Sequence, residues 1–324
     1  MNVEYQVVAA LLVDLALGDP RWLPHPVRGI GRLAAGLETL ARRWLGDGRI
    51  AGLSTALTVL ATTGGAAWGA ITLAGRWHPL AADVVGVVLI YTTIAARDLA
   101  AHSQAVFAAL ASDDLPEARQ RVSRIVGRDT GRLDAPGVVR AAVESVAEST
   151  VDGVTAPLFY ALVAGPVGAM VYRAINTLDS MFGYQDARYA HFGWASARID
   201  DLANYLPARL TAPLVCLAAT LLGQRGLGAL RMLVRDGRNH ASPNSGLSEA
   251  AMAGALGVQL GGLNCYDGQS LEKPTIGDPQ VPLAARHIPA ANALMLAAAI
   301  LFAAVGVALR LGAVYLWHRW RPVV

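Results

Sequence analysis

The side chains best suited to chemistry lie between residues 141 and 209, in three polar constellations around an apolar run. The first is Glu144-Ser-Val-Ala-Glu148-Ser-Thr-Val-Asp152, whose three carboxylates share one face of a helix with 3.6 residues per turn. In the second, Tyr172-Arg173-Ala-Ile-Asn176-Thr-Leu-Asp179-Ser180, Arg173, Asn176 and Ser180 share a face and Asp179 lies beside Asn176. The third, Arg198-Ile-Asp200-Asp201-Leu-Ala-Asn204, sets Asp200 or Asp201 beside Asn204 and continues to Pro207-Ala-Arg209. Carboxylates so spaced can hold a hard cation or accept a proton, and guanidinium groups grip anionic oxygens. Each group also has a purely structural reading. Glu144 and Glu148 would then be a solvated face, Asn176 and Asp179 glue between helices, and Asp200 or Asp201 partners of Arg198 or Arg209.

The elements that position these groups are apolar helices. Hydrophobic residues make up 54% of the 324 and charged residues only 16%, which indicates a multi-pass membrane protein. The uncharged runs 50–75, 153–172 and 287–309 approach or exceed the roughly 20 residues needed to cross hydrocarbon. Shorter runs at 84–96, 210–224 and 250–266 fit tilted spans, half-helices or buried packing helices, and 5–17 fits a short first membrane helix rather than a cleaved signal. The expected fold is therefore all-α and polytopic, a single membrane-embedded domain over 1–324. Its polar helical segment, at about 98–150, opens a helix at Asp113-Asp114-Leu-Pro116-Glu117.

Arginines set the orientation. Arg21, Arg28, Arg32, Arg42, Arg43 and Arg49 precede the 50–75 run, and Arg97, Arg119, Arg121, Arg124, Arg128, Arg132 and Arg140 follow the next one. The intervening hairpin thus has both ends cytoplasmic, and the tail His318-Arg319-Trp320-Arg321 places the C-terminus there as well. Trp22, Trp44, Trp317 and Trp320 suit the membrane interface. Ala164-Gly165-Pro166 breaks the 153–172 run, because proline lacks an amide proton and clashes with the preceding turn. A tight helical hairpin there returns Asn176 and Asp179 to the side holding Glu148 and Asp152. Thr155-Ala-Pro157-Leu and Thr211-Ala-Pro213-Leu echo one another, each fitting a helix start with threonine as cap.

Other chemistries are excluded or weakened. No nucleic-acid motif accompanies the modest formal charge of +3, and Cys216 and Cys265 have no metal or redox spacing. The loop Gly127-Arg128-Asp129-Thr130-Gly131 resembles a phosphate cradle only loosely, and Lys273, the sole lysine, sits outside any phosphate motif. A bound nucleotide would be held by arginines, backbone amides, helix N-termini and a metal, with Lys273 dispensable.

Several motifs together carry a family resemblance. They are Asp14-Leu-Ala-Leu-Gly18-Asp19-Pro20, His25-Pro26-Val27-Arg28, Gly127-Arg128-Asp129-Thr130, the Glu144-to-Gly153 stretch, Tyr172 to Met181, and Asp201-Leu-Ala-Asn204 through Pro207-Ala-Arg209. Ser242-Pro243-Asn244-Ser245-Gly246 and Leu260-Gly261-Gly262-Leu-Asn264-Cys-Tyr266-Asp-Gly268 extend the match over most of the chain. Together they resemble the adenosylcobinamide-phosphate synthase (CobD/CbiB) family of cobalamin biosynthesis, with Ser149 a departure where asparagine is associated with the family.

The resemblance implies a multi-pass enzyme of the bacterial inner membrane with its active site facing the cytoplasm. It would join adenosylcobyric acid to (R)-1-aminopropan-2-ol or its O-phosphate with ATP and Mg²⁺, working beside other cobalamin-assembly enzymes. Glu144, Glu148, Asp152, Asn176, Asp179 and Asp201 would then be catalytic, with Glu148, Asp152 and Asp179 as metal ligands. Asp14, Asp19, His25, Arg28, Arg128, Asp129, Arg173, Asn204, Arg209, Asn244 and Ser245 would bind substrates, and Glu249 should lie near the site. Transport is the rival reading, because ionisable residues beside broken apolar helices also mark transport sites, and a non-catalytic scaffold is the third.

Overall fold

The computed structural model describes residues 2–20, 25–184, 186–266 and 268–320. Arg21, Trp22 and Arg321 lie outside them. In chain order the helices are α1 (Val3–Leu17), α2 (Pro26–Leu45), α3 (Arg49–Trp77), α4 (Pro79–Tyr91), α5 (Ala96–Ala111), α6 (Leu115–Val122) and α7 (Ala135–Ser149). A π-helical turn, Thr150–Thr155, then leads into α8 (Ala156–Phe182), followed by α9 (Trp194–Ala203), α10 (Tyr205–Leu221), α11 (Gly226–Asp236) and α12 (Ser245–Leu256). The strands β1 (Leu260–Tyr266) and β2 (Gln269–Ile276) pair antiparallel, and α13 (His287–Trp320) closes the chain.

Among the described residues, four stretches are long and apolar enough to cross a membrane: Arg49–Trp77, Pro79–Ala111, Ala135–Phe182 and His287–Trp317. The all-α polytopic expectation therefore holds, with one β-hairpin added. Pro79–Ala111 includes a break at Thr92–Ile94, where successive amides turn back to Ile90 and Tyr91. The 250–266 run is no span. Gly257 adopts the left-handed conformation at the end of α12, and the chain continues as β1.

One compact unit comprises Met1–Ala95, Ala156–Asn204 and Ala303–Val324. Its core packs Ile30 and Ala34 of α2, Val59 and Ala67 of α3, and Met170, Leu178 and Phe182 of α8 around Phe192. α3 and α4 form the expected hairpin about His78, which caps α4 through its ring nitrogen and precedes Pro79. The Arg310 guanidinium binds Glu4 at 2.7 Å and donates to the Leu162 carbonyl, so a charge inside α13 is compensated within the unit.

Within the same unit α8 is a hairpin, as Gly165-Pro166 foretells. Ala164 and Gly165 leave helical geometry, Gly165 at φ 66° and ψ −163°. Only glycine adopts that region freely, and Pro166 then opens the second arm.

The other unit comprises Ala96–Thr155 and Tyr205–Phe302. Buried α7 is its centre, with α10, α11 and α12 packed on one another beside it. α11 and α12 approach so closely that a Cβ on Gly228 would stand 2.9 Å from the Gly254 carbonyl. Asp114 caps α6 through the Glu117 amide, as the sequence indicates.

The Thr155 and Thr211 echoes are not helix caps. Both are fully buried inside continuous helix, where their hydroxyls meet at 2.6 Å and bond the carbonyls of Thr150 and Pro207. Helix-internal threonine bonds its own preceding turn, so these residues supply no positive helix end.

Candidate active site

A polar cluster lies in the second unit, built on α7, α12, β1, β2 and the loops before α7 and α12. Glu144, near the middle of α7, is buried against the Arg128 guanidinium, which also donates to the Asn264 amide oxygen. The other Glu144 oxygen accepts the Gly261 amide hydrogen at 2.7 Å. One turn on, Glu148 is exposed and receives the Ser245 hydroxyl at 3.5 Å. Asp152 follows within the π-turn, whose wider winding moves it off the regular α-helical stripe.

From α12, Glu249 faces the same cluster with only 5% of its surface exposed. Burial holds its carboxyl well above the usual range, and the neighbouring charges of Glu144 and Glu148 add to that. His240 lies 3.8 Å from Glu249, and burial favours its neutral ring. Its Nδ1 accepts the Ser242 amide, so the ring hydrogen sits on Nε2, the atom nearer Glu249.

Lys273 enters from β2. Burial acts against its charge, but the Tyr266 hydroxyl and the carboxylates of Glu144 and Glu249 outweigh that and raise its pKa. The sole lysine, which the sequence places outside any phosphate motif, lies within electrostatic reach of Glu144 and Glu249. A strand pairing, absent from any phosphate motif, carries it to the cluster.

The Arg128-Asp129 loop is occupied in holding the β-hairpin. Besides the Arg128 bonds, the Asp129 amide donates to the Cys265 carbonyl at 2.9 Å and its carboxylate accepts the Gly268 amide at 2.8 Å. Arg140 adds bonds to the carbonyls of Gly261 at 2.5 Å and Leu263 at 2.7 Å. Arg209 stacks on Tyr205 and reaches Asn244 at 3.2 Å, so α10 and α11 do return Asn244 to the start of α10.

The remaining expected residues belong to the first unit. Arg173 bonds Asn176 at 3.3 Å, and Ser180 bonds the Asn176 carbonyl, as helical spacing dictates. Asp179 is half-buried at the end of α8, with its carbonyl bonded to the Gly183 amide. Asn204 is 1% exposed and joins the Tyr172 hydroxyl to Asp200, at 2.8 and 3.0 Å. Asp201 pairs with Arg198 at 3.1 Å, which is the structural alternative. His25 caps α2 and stands 3.7 Å from Asp19; Asp14 is buried and Arg28 exposed.

Glu148 and Asp152 thus lie in one unit and Asp179 in the other. Among the described residues no three His, Cys, Asp or Glu side chains are placed to hold a metal ion by themselves. Magnesium does not require such a trio, since it commonly takes one or two carboxylates together with substrate phosphates.

A family model described as CobD/Cbib protein matches residues 7–295. The chain belongs to the CobD/CbiB family. A cobalamin biosynthesis protein CobD from Geobacter metallireducens is 57% identical over 86% of this chain and 87% of its own. The CobD of Leptospira interrogans serogroup Icterohaemorrhagiae serovar copenhageni is 47% identical over 92% and 95%. A cobalamin biosynthesis protein CbiB from Salmonella typhi is also 47% identical, over 94% and 96%. No solved structure matches. The CobD/CbiB match spans every residue of the cluster, including His240, Glu249, Asn264 and Lys273. Of these, Glu249 is legible as a lone charge in an apolar run, whereas His240 and Lys273 carry no local signal.

Proposed function

We propose that this protein acts in cobalamin biosynthesis as an ATP-dependent amide ligase, an adenosylcobinamide-phosphate synthase. It joins the propionate carboxyl of adenosylcobyric acid to (R)-1-aminopropan-2-ol or its O-phosphate. The observation that carries the reading is the gathering of Arg128, Glu144, Glu148, His240, Glu249 and Lys273 in one unit of a CobD/CbiB chain.

The chemistry divides into two transfers. The propionate oxygen takes the terminal phosphoryl group of ATP, releasing ADP. The amine nitrogen then attacks the acyl carbon, the C–O bond to phosphate breaks, inorganic phosphate leaves and nitrogen loses its extra protons. The cluster's carboxylates suit those protons, and its cations suit the anionic reactants.

Magnesium would offset phosphate charge during the transfer. Glu148 and Asp152 would hold it together with phosphate oxygens: Glu144 is engaged by Arg128 and Gly261, whereas Glu148 is exposed. The active site faces the cytoplasm of the inner membrane, where ATP and the other cobalamin-assembly enzymes are found.

Purified protein in detergent, supplied with ATP, Mg²⁺, adenosylcobyric acid and each amine in turn, should make amide and ADP in equal amounts. A transporter or scaffold makes neither, so absence of product from well-folded protein overturns the proposal.

A further inference from the structure

We infer that α11 is an in-plane membrane anchor, which seats on the anionic phospholipid surface of the cytoplasmic leaflet and holds the unit carrying the polar cluster against it. With 11 residues, α11 is about 16 Å long, half of a hydrocarbon core of about 30 Å, so it cannot cross. Its side chains divide into three rows. Ala229, Met232 and Asp236 are buried, and Gly228 beside them lies where a Cβ would stand 2.9 Å from the Gly254 carbonyl of α12. Leu227, Leu230 and Val234 form an outward apolar row, with Leu227 86% and Val234 80% exposed.

Beside that row runs a basic one. Arg231 and Arg235 are exposed next to the leucines, and Gly237 keeps right-handed helical backbone, so Arg238 continues the row past the helix end. Asp236, the one acid of the helix, is buried and bonded by Arg235 and the Gly277 amide, so no carboxylate of α11 is exposed here. Arg235 is engaged by Asp236 and Asp278. Among the described residues neither Arg231 nor Arg238 has a partner, and both are free to meet an anion.

The apolar surface continues on α10, which packs on α11. Leu206, Leu210, Leu217 and Leu221 are exposed along it, as is Leu222 in the connecting turn. Leucines flanked by arginines on a helix too short to span suit the membrane interface: the apolar side chains enter the acyl boundary while the guanidinium groups reach lipid phosphates. Arginine-rich segments favour the cytoplasmic leaflet, whose lipids are anionic.

Other occupants fit less well. A twofold contact between two copies of this face would set arginines against arginines with no exposed acid of α11 to meet them. A soluble acidic protein would match the arginines and leave the α10 leucines in water. The bilayer satisfies both rows. Because α12 lies directly behind α11 and carries Ser245 and Glu249, lipid contact on α11 fixes the polar cluster at the membrane surface.

The test uses full-length protein in nanodiscs of phosphatidylcholine and phosphatidylglycerol at equal mole fraction, with a diazirine in the acyl chain of one lipid at a time. After photolysis, peptides covering 226–238 should carry acyl adducts at Leu227, Leu230 or Val234. Phosphatidylglycerol should label them at least about 5-fold more than phosphatidylcholine, the factor for one basic residue near an anionic surface. Arg231→Gln combined with Arg238→Gln should bring the two lipids to equal labelling with unchanged thermal unfolding, whereas Arg231→Lys with Arg238→Lys keeps the charge and should keep the preference. If the double Gln variant does not fold, each single Gln variant should show a smaller loss of preference.

Adducts on α3 and α13 with none on 226–238 overturn the anchor. So does equal labelling of the parent by the two lipids, or a preference unchanged in the folded Gln variants. Cross-links between the α11 helices of two copies in place of lipid adducts assign the face to a second copy. Loss of the preference in millimolar inorganic phosphate at constant ionic strength assigns the arginines to a free anion, and either result overturns the lipid reading.

Discussion

The rings of Tyr160 and Tyr172 stack with centroids 5.0 Å apart and planes 11° from parallel. Twelve residues of straight helix would separate them by about 18 Å, so this pair is the signature of the α8 hairpin. The hairpin turns on Gly165, whose φ of 66° and ψ of −163° strain any side chain. Gly165→Ala should cost about 1–3 kcal/mol and lower the thermal midpoint in detergent. Val163→Ala, at an exposed neighbour, should change it little. A Gly165→Ala protein as stable as the parent would show that the turn tolerates a Cβ.

Arg128 is expected to position the β-hairpin. Arg128→Ala leaves Glu144 buried without its guanidinium, a loss of about 3–5 kcal/mol for a buried pair. Amide hydrogen exchange across 260–276 should accelerate, and Asn264→Ala should reproduce a smaller part of that change. A raised KM for substrates with unchanged hairpin exchange would instead put Arg128 on the substrate.

Lys273→Ala should not be silent, contrary to the expectation from phosphate motifs alone. Removing this charge leaves Glu144 and Glu249 less compensated, and product formation should fall by about 10-fold or more. Lys273→Arg keeps the charge and should retain more turnover. Full activity of Lys273→Ala would place the reaction away from β2.

Acid stability has a defined contributor outside the cluster. The Asp236 carboxylate is held below its usual pKa by Arg235 and the Gly277 amide, against the opposing effect of burial. A lowered folded pKa contributes stability above the unfolded value of about 3.9 and loses it as pH falls through the folded value. Asp236→Asn should be less stable near neutrality and show a flatter acid limb in unfolding scans. Identical limbs in both proteins would refute the linkage.

Glu148→Gln and Asp152→Asn preserve size while removing charge, and both proteins should accumulate in the membrane. Each should lose product formation by about 100-fold at limiting Mg²⁺, the scale for losing a metal-supporting or charge-stabilising group. Normal turnover by both would make these carboxylates structural.

What the sequence by itself determined was local. Apolar runs specified the helices at 49–77 and 287–320, Asp114 and Pro116 marked a helix start, and Gly165-Pro166 marked the α8 turn. Helical spacing paired Arg173 with Asn176 and Arg198 with Asp201, because residues three apart share a face in any helix. The motifs also sufficed to recognise the family.

Only the tertiary structure decided the partners across long separations. Glu144 meets an amide 117 positions away, Thr155 meets Thr211 at 56, and Tyr172 meets Asn204 at 32. It also revealed a β-hairpin where an apolar run suggested helix, and brought Lys273 to a cluster it does not resemble. The physical reason is that hydropathy and turn preference act over a few residues, whereas a buried polar group takes whichever partner packing delivers.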